Sequence, residues 1–278
     1  MRVLILGCGS AGRRHAANAK LLGHEAIVFD VDEAASTRAA IALSCERIPT
    51  GDGRPWACHP DAAVIATPAA VHLDDAREAV RRGIPVYIEK PLGIIEQLAE
   101  WEALATRPLP SVVYVGYQLR FQDQAMALRL GAVGNRVRGA SFSLACDPRQ
   151  WRGLRATYAD PLLECSHEID LARWFGASDL TSADVREHRV VLGFGSVGVD
   201  IDWRAPYARE WRIEGEHFKG RAHFDRPEAL GEAMYLDALS EFFAAQAAPE
   251  HRSRAATLAD GIEALRLCAE IRQLKAVD

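Results

Sequence analysis

Residues 2–12 read "RVLILGCGSAG", and this stretch decides the fold. A short apolar run ends at glycine, as a parallel strand buried on both faces does. Gly7, Gly9 and Gly12 follow with G-x-G-x-x-G spacing, and "AGRRHAANAKLLG" continues as a helix that stops at Gly23. In this strand–turn–helix setting the loop Gly7, Cys8, Gly9, Ser10, Ala11 and Gly12 predicts a dinucleotide site. The first glycine permits a tight turn, the second lets backbone approach a pyrophosphate, and the third lets helix and strand pack closely. The helix N-terminus offers its free N–H groups to the phosphates. Asp30 ends the next strand, "EAIVFD". A carboxylate there accepts hydrogen bonds from a ribose 2′-OH and repels a 2′-phosphate. Neither Val31 nor Asp32 brings compensating positive charge, so NAD is expected ahead of NADP.

Outward from this unit, strand and helix keep alternating. "DEAASTRAAIALS", "VHLDDAREAVRRG" and "IIEQLAEWEALATR" read as helices, and "AAVIATP", "PVYIEKP" and "SVVYVGYQ" as buried strands. Such alternation with short connections implies an α/β, doubly wound parallel sheet with right-handed crossovers. The pattern then changes to alternating strands and hairpins, with closing helices at 228–247 and 255–276. The expected domains are 1–115, a dinucleotide-binding Rossmann domain, and 116–278, an α+β domain with a mainly antiparallel open sheet for substrate binding and oligomerisation. Val197, Val199, Ile201 and Trp203 alternate along one strand. If that apolar face is uncovered it invites a second copy, giving a homodimer or homotetramer through the open sheet face.

Bulk properties narrow the function. A net charge of −5 with basic residues scattered among acidic ones gives no case for nucleic acid or an anionic membrane. The first apolar run is too short for a signal peptide, and no run approaches a membrane span. Six cysteines without a C-x-x-C pair suit a reduced, cytoplasmic chain without disulfides or a zinc site.

"DPLLECSHEIDLARWFG", 160–176, reads as one helix with Glu164, His167 and Asp170 at three-residue steps. Asp160 and Pro161 suit an N-cap and first helical residue. Leu163, Leu171 and Trp174 share the sector of the stripe, so the stripe faces inward, where a lone ionisable group is costly. Glu164 also suits the helix dipole, and Asp170 suits a pair with Arg173. A metal at the trio is not expected, because nothing else in the chain completes a ligand set. Lys90 closes a strand ahead of a proline, at the end where α/β sheets bind ligands.

Taken with "VIATPAAVH" at 64–72, "EKPLG" at 89–93, "VGYQLRF" at 115–121 and "LLECSHEIDLARWFG", the chain resembles the Gfo/Idh/MocA family of oxidoreductases. The resemblance implies that Lys90 sits beside the nicotinamide and the reacting oxygen, and that Thr67, Pro68, His72 and Glu89 line the dinucleotide. It implies that His167 exchanges the proton of a sugar hydroxyl, for which an ordinary pKa near 6.5 is suited. Lys90 and His167 are expected to converge on that one oxygen. Glu164 would orient the imidazole or bind a neighbouring hydroxyl. The loop "DPRQWRGLRATY" at 147–158, with Arg149, Trp151, Arg152, Arg155 and Tyr158, resembles a substrate-side loop suited to a carboxylate or phosphate. Gln118, Arg120 and Asp170 are further candidates for the substrate. The expected activity is NAD-dependent hydride transfer on a secondary alcohol or ketone of a sugar, sugar acid or nucleotide sugar. The alternatives are reduction of an imine or tetrapyrrole on the same fold, and a non-catalytic NAD-binding protein.

Overall fold

The computed structural model describes the chain except residues 53–54, 108, 110–111, 133–136, 148, 150–159, 178, 249–252 and 276–278. Two compact units emerge. Met1–Tyr117 with Tyr235–Ile262 form one, and Gln118–Met234 with Glu263–Asp278 form the other.

The first unit is built on parallel strands β1 (Arg2–Leu6), β2 (Glu25–Phe29), β3 (Glu46–Arg47), β4 (Ala62–Ile65), β5 (Val86–Glu89) and β6 (Val113–Gly116). A two-residue strand, β13 (Ala256–Thr257), adds antiparallel to β6. The order is β13-β6-β5-β4-β1-β2-β3. Helices α1 (Ser10–Leu21), α2 (Glu33–Leu43), α3 (His72–Arg81) and α4 (Leu98–Ala105) connect the strands. Val3, Leu4, Ile5, Val64 and Ile65 are fully buried, which explains why β1 and β4 read as unbroken apolar runs. Each such side chain contributes about 1.5–3 kcal/mol by burial. After β3 the chain returns to the other side of β1. The connections after β1 and β4 therefore diverge and leave a crevice at the strands' C-terminal ends.

The segment Tyr235–Ile262 lies within the region expected to form the second domain, yet packs with the first unit. Phe242 is fully buried, its ring 5.8 Å from Tyr87 and 6.1 Å from Tyr114. The helices α7 (Ala233–Ala247) and α8 (Leu258–Lys275) flank β13 in sequence. A strand of two residues carries no periodicity, so neither β13 nor this return was readable from the pattern.

The second unit holds β7 (Val137–Ala145), β8 (Ser182–Val185), β9 (Arg189–Phe194), β10 (Val197–Asp202), β11 (Ala208–Gly215) and β12 (Lys219–Phe224), in the order β12-β11-β7-β10-β9-β8. Every pairing is antiparallel except the central one, where β7 and β10 run parallel. Helix α5 (Asp123–Ala132) precedes the sheet in sequence, and α6 (Ser166–Trp174) packs on β7 and β10.

The apolar face of β10 is covered rather than open. Val197, Val199 and Ile201 are 4%, 1% and 0% exposed, because they point to the face that α6 covers. The other face carries Asp200, Glu210, Arg189 and Arg221. Arg189 Nε donates to Asp200 Oδ1 at 2.8 Å, and Arg221 Nη2 to Glu210 Oε2 at 2.5 Å. That face is polar, so the apolar argument for a second copy falls. Among the described residues no helix is long and apolar enough to cross a membrane.

Candidate active site

The glycine loop has the geometry its spacing demands. Gly7 has φ +90°, and a Cβ there would lie 2.5 Å from the Ala66 carbonyl oxygen. A Cβ on Gly12 would lie 1.8 Å from the Gly7 carbonyl oxygen, so helix and turn touch backbone to backbone. Gly9, the N-cap of α1, is different: nothing lies within 4 Å of the Cβ it lacks. Internal packing therefore gives no reason for glycine at position 9, whereas a pyrophosphate approaching the backbone does. Ser10 and Ala11 begin α1 and supply its first free N–H groups.

Asp30 follows β2. Its Oδ2 accepts from the Cys8 backbone N–H at 2.6 Å and its Oδ1 from that of Asp32 at 2.8 Å. These bonds fix the carboxylate beside the glycine loop. Carboxylate oxygens accept more than one bond each, so capacity remains for a ribose hydroxyl. The cradle at Gly9 and the anchored acid together fit a dinucleotide without a 2′-phosphate. Burial, then the charge of Asp30, pushes the Cys8 thiol up to about 12, so it is no nucleophile.

Past β4, Thr67 Oγ1 donates to Asp75 Oδ2 at 3.0 Å, and Pro68 is the N-cap of a short 3₁₀ turn. His72 is 1% exposed. Its Nε2 donates to the Thr67 carbonyl at 2.7 Å, and Nδ1 faces the carbonyls of Pro91 and Leu92 at 3.1 and 3.2 Å. The ring thus ties the turn after β4 to the segment after β5. The resemblance implied that it lines the dinucleotide; both of its ring nitrogens are taken up by backbone carbonyls. Burial lowers its pKa against the pull of those carbonyls.

Burial also pushes the Asp75 carboxyl up to about 6, against the Thr67 hydrogen bond. Between its unfolded value near 4 and that value the native state binds the extra proton, so stability falls as pH rises through this window. Asp75→Asn is therefore expected to raise stability near neutral pH by about 2 kcal/mol. The gain should shrink as the pH falls and vanish below about pH 3, where aspartate is protonated in both states. Thermal melts of both proteins across this range check it; an equal gain at every pH would rule out the charge as its cause.

Glu89 ends β5 and is 7% exposed. Its Oε1 lies 2.5 Å from Nε2 of His15, on α1, and its Oε2 accepts from the Lys90 backbone N–H at 3.1 Å. Burial alone would push the carboxyl up, but the His15 hydrogen bond and the nearby Lys90 charge bring it below the ordinary range. Glu89 was expected to line the dinucleotide; its carboxylate is instead engaged by His15 and backbone. Nothing in the glycine-loop reading had marked His15. Lys90 is half-buried.

In the second unit the single helix expected over 160–176 is two pieces, a turn at Pro161–Glu164 and then α6, broken at Cys165. Asp160 caps the start as expected, its Oδ1 accepting from the Leu162 N–H at 2.9 Å. At the break the bonds tighten to a three-residue span: Cys165 N–H donates to Leu162 O at 3.2 Å and Glu168 N–H to Cys165 O at 3.1 Å. Glu164 and His167 are half-buried on either side of it. The Trp203 indole donates to Cys165 Sγ at 3.3 Å and so pins the break to the end of β10.

Asp170, the third member of the stripe, is 1% exposed and accepts both Nε and Nη2 of Arg120 at 2.9 and 2.6 Å. Arg120 and Asp170 therefore belong to each other rather than to a ligand, because a buried charge needs its partner. Arg173, the neighbour expected for Asp170, lies 3.5 Å from Glu263 instead. Gln118 is 1% exposed. The sequence reading missed a second buried pair, in which Arg209 Nε of β11 lies 2.6 Å from Glu168 Oε1. Glu168 follows His167 directly, so α6 is fixed from two sides next to the imidazole. An acid outside the three-residue stripe gave no signal.

Of the loop 147–158, Arg149 pairs with Asp147 at 2.8 Å. Trp151, Arg152, Arg155 and Tyr158 lie outside the described residues. A cavity of about 480 Å³ borders the start of the helical turn, lined by Asp160, Leu162, His188 and Trp203 among others. All six cysteines are free thiols. Among the described residues no group of His, Cys, Asp or Glu is placed to hold a metal ion.

Residues 1–117 match the Gfo/Idh/MocA family, described as an oxidoreductase family with an NAD-binding Rossmann fold. The rhizopine catabolism protein MocA of Rhizobium meliloti is 26% identical, in an alignment covering 100% of this chain and 96% of that protein. Inositol 2-dehydrogenase of Acidothermus cellulolyticus is 30% identical over 69% of this chain, a match that spans 57% of that enzyme. The fold superposes on scyllo-inositol dehydrogenase from Lactobacillus casei, solved with NAD(H) and scyllo-inositol, with a TM-score of 0.78 and 16% identity, covering 98% of this chain and 96% of that one. The glycine loop, the Glu89-Lys90-Pro91 strand end and the full-length match to MocA agree: the chain belongs to the Gfo/Idh/MocA family of oxidoreductases and carries its NAD-binding Rossmann fold.

Proposed function

We propose that this protein is an NAD-dependent dehydrogenase acting on a secondary alcohol or ketone of a sugar-type substrate: a cyclitol, sugar, sugar acid or nucleotide sugar. The observation that carries the reading is the position of Lys90 at the C-terminal end of β5, in the same unit as the glycine loop and Asp30. Ligands of doubly wound sheets bind at these strand ends. The relatives named above, inositol dehydrogenases among them, support a polyol or keto sugar as the substrate class.

When bound, NAD supplies the hydride acceptor or donor. The chain's own residues supply orientation and proton handling. The Lys90 ammonium holds and polarises the reacting oxygen and stabilises negative charge developing there. The His167 imidazole takes the hydroxyl proton on oxidation and returns it on reduction. Glu164, across the break at Cys165, orients that imidazole or binds an adjacent hydroxyl. The arginines of the 147–158 loop suit an anionic group on the substrate.

The test is a screen of the purified protein for a change in NADH fluorescence with inositols, aldoses, sugar acids and nucleotide sugars in turn. Turnover with one of these classes, with a preference for NAD over NADP, is the expected result. Tight NADH binding without turnover on any of them overturns the reading in favour of a non-catalytic NAD-binding protein.

A further inference from the structure

The cavity beside the broken helix has no place in the chemistry above. It measures about 480 Å³, and proteins hold small organic ligands in pockets of about 300–1,000 Å³. The described residues that line it all lie in the second unit, and neither Glu164 nor His167 is among them. Two kinds of surface meet there. Leu162, Val190 and Ile271 are buried and Trp203 is half-buried, which gives the cavity an apolar lining. His188 and the guanidinium groups of Arg149, Arg204 and Arg272 bring N–H donors to the same space.

The hydrogen bonds separate spent groups from unspent ones. Asp147 accepts Nε and Nη2 of Arg149, both at 2.8 Å. Asp160 accepts the Leu162 N–H and Arg272 Nη2. These two acids and two arginines answer one another. Arg204 is left over. Its guanidinium makes no hydrogen bond among the described residues and stands 3.7 Å from Glu187 Oε1. His188 Nε2 is buried and likewise has no hydrogen-bond partner, because Glu187 Oε1, 3.0 Å away, is out of line with it. The Glu187 side chain is 80% exposed, so water screens it and it competes weakly for either group. Backbone bonds hold both donors in place. Trp203 N–H donates to the His188 carbonyl at 2.8 Å, and Arg204 N–H to Asp202 Oδ1 at 2.8 Å. A buried nitrogen without a partner is costly, and an unspent guanidinium suits a carboxylate or phosphate.

We propose that this cavity binds a small organic anion with an aromatic body, its phosphate or carboxylate on Arg204 and His188 and its ring against the apolar lining. An inorganic anion alone would leave that lining empty, and an uncharged ring would leave the two donors unmet. The occupant lies at the root of the segment that carries Glu164. Asp160 accepts the Glu164 N–H through its carbonyl at 2.9 Å, and Trp203 holds Cys165. The occupant is the non-reacting end of the substrate or a separate effector. The first source rests on the function proposed above; the binding site itself does not.

The test needs no turnover. Phenyl phosphate is titrated into the protein with NADH at saturation, so that the dinucleotide site is filled, and binding is followed by saturation-transfer NMR. Inorganic phosphate, benzyl alcohol and phenyltrimethylammonium report the anion alone, the ring alone and the opposite charge. Phenyl phosphate is expected to bind about tenfold or more tightly than each of them. The Arg204 side chain is 63% exposed and unbonded, so Arg204→Ala should keep the fold. It is expected to weaken phenyl phosphate by about 10- to 100-fold, the worth of a hydrogen bond to a charged group, and to leave benzyl alcohol unchanged. Val185→Trp, which fills the cavity from its wall, should abolish binding of both. Binding of the ammonium compound as tight as that of the phosphate overturns the proposal. So does an Arg204→Ala protein that binds phenyl phosphate like the parent, and this variant decides alone if Val185→Trp does not fold. A substrate from the screen that displaces the probe makes the cavity the far end of the substrate site; one that binds alongside it makes the occupant an effector. A screen that finds no substrate leaves the binding result standing, so the two failures are distinct.

Discussion

Alanine at position 167 is expected to lower kcat by about 10²- to 10⁴-fold, with NADH affinity kept within about threefold. The range is that of a lost general acid–base group, and the separation of effects follows from the architecture. The dinucleotide loop, Asp30 and Lys90 all lie in the first unit, whereas His167 lies in α6 of the second. The substitution should not disturb α6. Glu168 and Asp170 keep their pairs with Arg209 and Arg120, and alanine favours helix. His167→Gln can hold a hydroxyl but cannot accept its proton at neutral pH, so it should resemble alanine in kcat and the parent in KM. Steady-state kinetics on the substrate found in the screen, with NADH titration by fluorescence, measure both. Unchanged kcat in His167→Ala would remove this residue from the mechanism and leave Lys90 to carry it.

The second large effect is on stability. Arg120→Ala leaves the Asp170 carboxylate, 2% exposed at its side chain, without its bidentate partner. Breaking a buried pair from one side costs about 3–5 kcal/mol. For a chain of this size that lowers the melting temperature by about 6–20 °C. Replacing both members, Arg120→Met with Asp170→Leu, removes the stranded charge together with its partner and should recover most of the loss, since well-packed apolar pairs often match buried ion pairs. Thermal unfolding of the single and double variants checks the sign of the coupling. A double variant as unstable as the single one would mean that the pair's shape, not its charge, holds α6 in place.

The sequence made some of this legible and hid the rest for identifiable reasons. Parallel strands announced themselves because Val3, Leu4, Ile5, Val64 and Ile65 are buried on both faces and no polar residue interrupts them. The glycine loop was legible because Gly7 and Gly12 answer backbone contacts that no other residue tolerates, and Gly9 completes the spacing. Pairing was not legible. Arg120 and Asp170 each looked like ligands for a substrate, and only the fold shows that they satisfy one another across fifty positions of sequence. His72 was read as lining a cofactor because the family resemblance implied it; its ring is consumed by three carbonyls supplied from two loops. The apolar alternation in β10 gave the right period but could not say which face was covered, and α6 decided that.

The parallel pairing of β7 with β10 has an evolutionary consequence. These two strands lie side by side in register from Ala140 opposite Val197 to Ala145 opposite Asp202, yet all of residues 146–196 intervene between them. That excursion contains the arginine-rich loop, the broken helix with Glu164 and His167, and the β8–β9 hairpin. Lengthening or trimming the loop before Asp160 leaves the alignment of the two central strands untouched. On the function proposed above, insertions and deletions there would alter substrate preference without shifting the register of the two central strands.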